Sequence, residues 1–187
     1  KLAQEGRLDP VIGREDEISR IIHILARRIK NNPIIIGEAG VGKTVLIEGL
    51  AKLIVNSRVP ETLLNKKIIQ IDMAQVTAGA KFKGEFEERV KSIVDTLVNS
   101  NGKVIAFIDE LQTLIDASGV GNVKAGDILK PALSRGQLQL IGTVTKDAYK
   151  KVIEKDKALS RRLQPIILDE PTVEKTINIL NGLKDKY

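Results

Sequence analysis

Residues 37–44 read Gly-Glu-Ala-Gly-Val-Gly-Lys-Thr and follow directly on the apolar run Ile34-Ile35-Ile36. This is the pattern G-x-x-x-x-G-K-[ST] behind a strand, an arrangement that cradles phosphate. Gly37, Gly40 and Gly42 let the backbone turn tightly enough to aim its N–H groups at phosphate oxygens. Lys43 adds a point charge toward the terminal phosphates, and the Thr44 hydroxyl can ligate Mg²⁺. The alternative is a glycine-rich turn with no ligand. A second chemical pair, Asp109-Glu110, ends the apolar run 104–108. Asp109 suits a Mg²⁺ shell and Glu110 suits a base that orients and deprotonates water, a division of labour fit for phosphoanhydride hydrolysis. An acidic turn at a strand end is the alternative. Phosphoryl transfer also calls for a polar group beside the γ-phosphate, and Thr143 and Thr145 are the candidates. Arg161-Arg162 reads either as two solvated surface arginines or as arginine fingers that neutralise transition-state charge.

These groups need elements to hold them in place. Ile18, Ile21, Ile22, Leu25 and Ile29 recur at helical spacing behind the acidic opening Glu15-Asp16-Glu17, so a helix is predicted that ends at Asn31-Asn32-Pro33. Residues 34–36 form a first strand. A helix follows over about 43–55, with Val45, Leu46, Leu50 and Leu53 available for burial. Further strands are predicted at 68–71, 104–108, 138–144 and 166–168. Helices are predicted at 84–98 and around 128–133, and a last helical pattern carries Val173, Ile177, Leu180 and Leu183. Strands alternating with helices imply an α/β fold with a five-stranded parallel sheet between helices, and ligands at the carboxyl ends of the strands.

The chain has 187 residues, 42% of them hydrophobic, enough for one substantial core. No apolar stretch approaches the roughly 18 residues that span a membrane. Lys1 to Pro10 carries no recognisable targeting signal, and an opening on Lys1 suggests a fragment. Zero cysteines exclude disulfides and thiolate metal sites. The net charge of +6 comes from 30 basic residues scattered among 24 acidic ones, and aromatics are only 3%, so nucleic acid is not the expected partner.

Several stretches now carry a family resemblance that covers the whole chain. They are residues 8–14 (Leu-Asp-Pro-Val-Ile-Gly-Arg), 30–33 (Lys-Asn-Asn-Pro), the phosphate loop, and 79–89 (Gly-Ala-Lys-Phe-Lys-Gly-Glu-Phe-Glu-Glu-Arg). They continue with 107–111 (Phe-Ile-Asp-Glu-Leu), 129–136 (Leu-Lys-Pro-Ala-Leu-Ser-Arg-Gly) and 153–156 (Ile-Glu-Lys-Asp). Together they resemble the first nucleotide-binding domain of the Clp class of AAA+ unfoldases, ClpB-type disaggregases first and ClpC-type unfoldases second. The opening Gly79-Ala80-Lys81 favours the ClpB type weakly.

The resemblance implies a P-loop AAA+ core over residues 1–170 and the start of a helical lid subdomain over 171–187. It implies ATP/ADP and Mg²⁺ as cofactors, with Val11 and Ile12 flanking the adenine and Ile179 and Leu183 closing its other side. Gly37, Gly40, Val41, Gly42, Lys43, Thr44 and Val45 would line the phosphates. Thr44 and Asp109 would hold the metal, Glu110 would be the base and Thr145 the sensor. Arg161 and Arg162 would reach into a neighbouring subunit of a homo-hexamer. Lys81, Phe82 and Lys83 match the axial pore loop that grips unfolded or aggregated polypeptide, where the family usually places Tyr; the alternative is a Phe82 packed in the core. The family also implies co-chaperones, and a cytoplasmic or organelle-matrix location. Ala39, Gln112, Lys124, Thr143-Val144, Ser160 and Leu163 depart from the family pattern, and none removes a catalytic group. His23 is expected at a half-buried helix position without a catalytic role. A nucleic-acid remodeller of the clamp-loader or helicase type, sharing the same ATP core, is the functional alternative.

Overall fold

The computed structural model describes residues 2–8, 10–78, 84–116 and 124–184. Five strands, β1 (Asn32–Ile36), β2 (Lys67–Gln70), β3 (Val104–Ile108), β4 (Gln139–Val144) and β5 (Leu163–Ile167), form one sheet in the order β2-β3-β4-β1-β5. Every neighbouring pair is parallel. The helices between and around them are α1 (Glu15–Leu25), α2 (Lys43–Val55), α3 (Met73–Thr77), α4 (Glu85–Asn99), α5 (Leu111–Asp116), α6 (Ala125–Ser134), α7 (Lys146–Ala148), α8 (Lys157–Ser160) and α9 (Val173–Lys184).

The strand residues alternate between two cores, as the period of two in an extended chain requires. Ile34, Ile36, Ala106, Ile108, Leu140 and Val144 face one side and pack with Val90 and Val94 of α4, Leu114 of α5 and Leu129 of α6. Ile35, Ile105, Phe107, Ile141 and Ile166 face the other side and pack with Ile18 and Ile21 of α1 and Leu46 and Leu50 of α2. A sheet covered on both faces needs apolar residues at every strand position, and β1 and β4 are buried along their whole length. After β1 the chain crosses to the far edge at β2 and returns through β3 and β4. That reversal of strand order opens a crevice at the carboxyl ends, where ligands of such sheets bind.

The sequence reading places α2, α4 and all five strands within a few residues of their observed bounds, and the structure corrects it in four places. The helix predicted to run to Asn31-Asn32-Pro33 stops at Leu25, and Ile29, the last member of its stripe, is 71% exposed. Asn32 and Pro33 instead open β1, because the chain must use residues 26–31 to reverse direction, with Lys30 at φ 50° in the turn. β5 begins three residues earlier than predicted, at Leu163, which pairs with Asn32. Val45 is exposed on α2. His23 is exposed, because it falls on the solvent side of α1 between Ile21 and Ile24. Among the described residues no helix is long and apolar enough to cross a membrane.

Candidate functional site

The phosphate loop leaves the end of β1 at the centre of the sheet. Gly37 continues the ladder by donating its N–H to the Val144 carbonyl at 3.0 Å. A side chain there is excluded: a Cβ would sit 2.7 Å from the Leu168 carbonyl oxygen and 2.9 Å from Val41 Cγ2. Gly40 and Gly42 adopt φ of 83° and 93°, the left-handed region that glycine enters freely. Gly42 caps α2 without a side-chain acceptor, so the first N–H groups of a 13-residue helix stay available for an anion. The Lys43 ammonium folds back over the loop and donates to the carbonyls of Gly37 (2.9 Å) and Glu38 (2.8 Å). Gly40, Lys43, Thr44 and Val45 line a cleft of about 340 Å³ together with Asp109, Glu110 and Thr145.

The acidic pair reaches this cleft from the end of β3, and a buried hydroxyl fixes it there. Thr143 on β4 is fully buried, accepts the Glu110 N–H at 2.9 Å and donates its own hydroxyl to Asp109 Oδ1. Glu110 adopts φ 51°, a conformation that costs a non-glycine residue of order 1–3 kcal/mol. Its carbonyl is held in turn by the Thr113 N–H (2.8 Å) and hydroxyl (2.7 Å). The Thr143 hydroxyl is thus engaged by the acidic pair in both of its roles, as acceptor and as donor. Thr145 lies one residue beyond the end of β4, where its oxygen caps α7 by accepting the Ala148 N–H at 3.2 Å. Its hydroxyl proton remains free to donate to a ligand.

Apart from the residues that line this cleft, the amino-terminal segment meets the last helix. Val11 and Ile12 are half-buried, as are Ile179 and Leu183 on α9. A Cβ on Gly182 would fall 2.1 Å from Ile12 Cδ1, and one on Gly13 would fall 3.9 Å from Ile179 Cγ1. The missing side chain of Gly182 lets α9 lie directly on Ile12, while the Gly13 distance is ordinary van der Waals contact. Arg14 locks the arrangement: its guanidinium donates to Glu17 (3.0 Å), to the Val41 carbonyl in the phosphate loop (3.1 Å) and to the Asp169 carbonyl before α9 (3.2 Å).

Arg161 and Arg162 are not brought to this cleft. They sit at the amino end of β5, where Leu163 pairs with Asn32, whereas the phosphate loop starts beyond Ile36 at the other end of the adjacent strand. Five strand residues separate the two places by about 16 Å, farther than an arginine side chain extends. Lys81, Phe82 and Lys83 lie outside the described residues. A larger cleft of about 780 Å³ between β2 and α4 contains none of the groups above.

Residues 33–168 match the model of the ATPase family associated with various cellular activities (AAA). The chain belongs to the AAA family. The whole chain is 58% identical to the ATP-dependent Clp protease ATP-binding subunit ClpC of Staphylococcus saprophyticus, and 99% of it is 55% identical to the chaperone protein ClpB of Vibrio cholerae. It spans 23% and 22% of the lengths of those relatives. Among solved structures it is similar over its full length to Hsp104 of S. cerevisiae in an ADP complex, with a TM-score of 0.89 and 49% identity, covering 32% of that chain. A closed Hsp104 assembly with ATPγS and FITC-casein gives 0.85 and 50% identity, again with 32% covered. The Clp-class resemblance read from the motifs therefore holds across the whole chain.

As an AAA ATPase domain the chain is a nucleotide binder, and its cleft offers the donor types that a hydrated divalent ion accepts. Asp109 uses Oδ1 on Thr143, which leaves Oδ2 as a hard oxygen donor in the same cleft as the exposed Thr44 hydroxyl. Among the described residues no group of three acidic, histidine or cysteine side chains gathers, at this cleft or away from it, so protein donors alone would not complete an ion's ligands. Three structural contributors escaped the sequence reading: Arg14 as a buried tie, Thr143 as the bridge between the two acids, and Gly182 as the seat for Ile12. Gly182 carried a signal, a glycine inside an otherwise helical pattern. Arg14 stood in the matched stretch 8–14 and Thr143 among the polar candidates, but these roles were not legible because the partners that define them are distant in sequence.

Proposed function

We propose that this AAA domain is the first ATP-hydrolysing module of a Clp-class ring motor that pulls polypeptide through a central pore. The observation that carries the hydrolytic part is the Asp109-Thr143-Glu110 bridge facing Lys43 and Thr44 across one cleft. In this reading the N–H groups of residues 40–45 and the Lys43 ammonium hold the phosphates. Thr44 and Asp109 would hold Mg²⁺, a hard cation that takes oxygen donors. The ion, when bound, neutralises charge that builds on the phosphates. Glu110 accepts a proton from the attacking water, and its strained backbone keeps the carboxylate aimed into the cleft. Thr145 donates to the γ-phosphate region. Val11, Ile12, Ile179 and Leu183 hold the adenine, so the large subdomain (1–170) and the lid segment (171–187) both contribute to the site.

Arg161 and Arg162, remote from their own loop, act on the nucleotide of a neighbouring subunit in a homo-hexamer. Phe82 between Lys81 and Lys83 grips the polypeptide. Identities of 58% to ClpC and 55% to ClpB support a disaggregase and a protease-coupled unfoldase alike, in the cytoplasm or an organelle matrix and in company with co-chaperones or a protease. The test is Glu110→Gln in the full-length protein. ATP binding should persist while hydrolysis falls about 10²–10⁴-fold, the contribution of a positioned general base. Turnover near that of the unaltered protein would overturn the assignment.

A further inference from the structure

Three of the matched motifs lie far from the nucleotide cleft, and the structure brings one residue of each to the same short segment. We propose that Lys130, Asp156 and Asn32 form a bracket that positions the Arg161-Arg162 pair toward the neighbouring subunit. This inference rests on the reading of those arginines as groups that act in trans.

The segment needs such a bracket because it cannot hold its own shape. α8 (Lys157–Ser160) is a single turn, and isolated turns of helix are unstable in water. At its front, Asp156 Oδ1 accepts the N–H groups of Ala158 (2.9 Å) and Leu159 (3.1 Å), while Oδ2 accepts from the Lys130 ammonium at 2.8 Å. Lys130 stands on α6 and is steadied by Asp127 at 3.1 Å. At the back, Asn32 is 1% exposed; its Nδ2 donates to the Arg162 carbonyl at 3.3 Å, and its Oδ1 accepts the Leu140 N–H at 2.9 Å. Leu159 and Leu163 anchor the segment in the core on either side of the arginines. The backbone of the pair is thus fixed from α6, β4 and β1.

The two arginine side chains stand in contrast to this frame. Among the described residues neither guanidinium has a hydrogen-bond or ion-pair partner, and Arg161 is exposed. A rigid backbone that presents two unpaired cations suits charge delivery to another molecule. Both members of the ion pair stay charged around neutrality. The Asp156 hydrogen bond, opposed by burial, raises the Lys130 pKa on balance. Burial pushes the Asp156 carboxyl up, but hydrogen bonds from Lys130, Leu159 and Ala158 outweigh it and lower its pKa.

These are positioning residues, so the test uses a readout that a local defect would not move. In the full-length protein Lys130→Met keeps the alkyl stem and Asp156→Asn keeps a capping oxygen, while each removes the ion pair. Each should lower kcat by about tenfold, equivalent to ~1.4 kcal/mol of transition-state stabilisation, with KM for ATP unchanged. Lys130→Arg should restore most of the loss. The deciding measurement mixes Lys130→Met subunits, which keep an intact cleft, with Glu110→Gln subunits, which keep an intact arginine bracket. Turnover of the mixture should exceed that of either variant alone, because each Lys130→Met site can receive arginines from a Glu110→Gln neighbour. The same mixing with Arg161→Ala/Arg162→Ala in place of Lys130→Met tests the trans reading itself. Rescue of the arginine variant without rescue of Lys130→Met would overturn the bracket alone; failure of both would overturn the trans reading and the bracket with it.

Discussion

Thr143 shows how one hydroxyl can decide the geometry of the proposed reaction centre. It is fully buried and satisfies the Glu110 N–H and one oxygen of Asp109 at once. Thr143→Val keeps the shape and removes both bonds, leaving two polar groups unpaired at about 1–3 kcal/mol each. The left-handed backbone of Glu110 then loses one of its restraints and can relax, carrying the carboxylate out of line. Hydrolysis should fall by roughly 10–100-fold with nucleotide affinity nearly unchanged, the pattern of a lost transition-state interaction. Wild-type turnover by the variant would show that Thr113 alone holds Glu110. The residue pattern exposed the acids and both threonines without ranking Thr143 against Thr145, since residues two apart share one face of a strand, and only the family resemblance favoured Thr145. The end of β4 at Val144 separates them: Thr143 points into the core and Thr145 falls beyond the sheet.

At the level of elements, the loop-bearing strand was legible from its apolar run and glycine pattern, while the joints between elements were not. The stripe through Ile29 continues the helical spacing, yet α1 stops at Leu25, because periodicity does not record the residues a chain needs to turn back into a parallel sheet. Arg14 likewise enters the sequence reading only as the last residue of the matched stretch 8–14, with no partner assigned. Its side chain is only 8% exposed and joins α1, the phosphate loop and the segment leading to α9. Arg14→Met would leave Glu17, 17% exposed, without its cation. Breaking a buried pair in this way costs about 3 kcal/mol, a fall in Tm of roughly 6–12 °C for a domain of this size. Nucleotide affinity should drop as well, since the tie from the loop to the base of α9 is cut. A melting curve superimposable on the unaltered protein's would rule out Arg14 as a structural tie.

At the scale of the whole molecule, the two halves of the proposed catalytic apparatus lie at opposite ends of the sheet. The phosphate loop, Asp109 and Glu110 gather at the carboxyl ends of β1 and β3, and Arg161-Arg162 at the amino end of β5. On the proposed roles, a single copy holds the groups that bind nucleotide and remove a proton but cannot place its own arginines on its own γ-phosphate. α9 carries the same message, since Val173, Ile177 and Leu180 present an exposed apolar row while Gly182 rests on Ile12. The consequence is a dependence on concentration. The specific ATPase activity of this domain should be low in dilute solution and rise as copies associate, because each new contact supplies one site with arginines. Arg161→Ala/Arg162→Ala should hold the activity at the dilute level across the series without weakening nucleotide binding. A specific activity that stays flat on dilution, with the arginines intact, would mean that hydrolysis is completed within one chain, and the arginine pair would revert to two solvated surface cations.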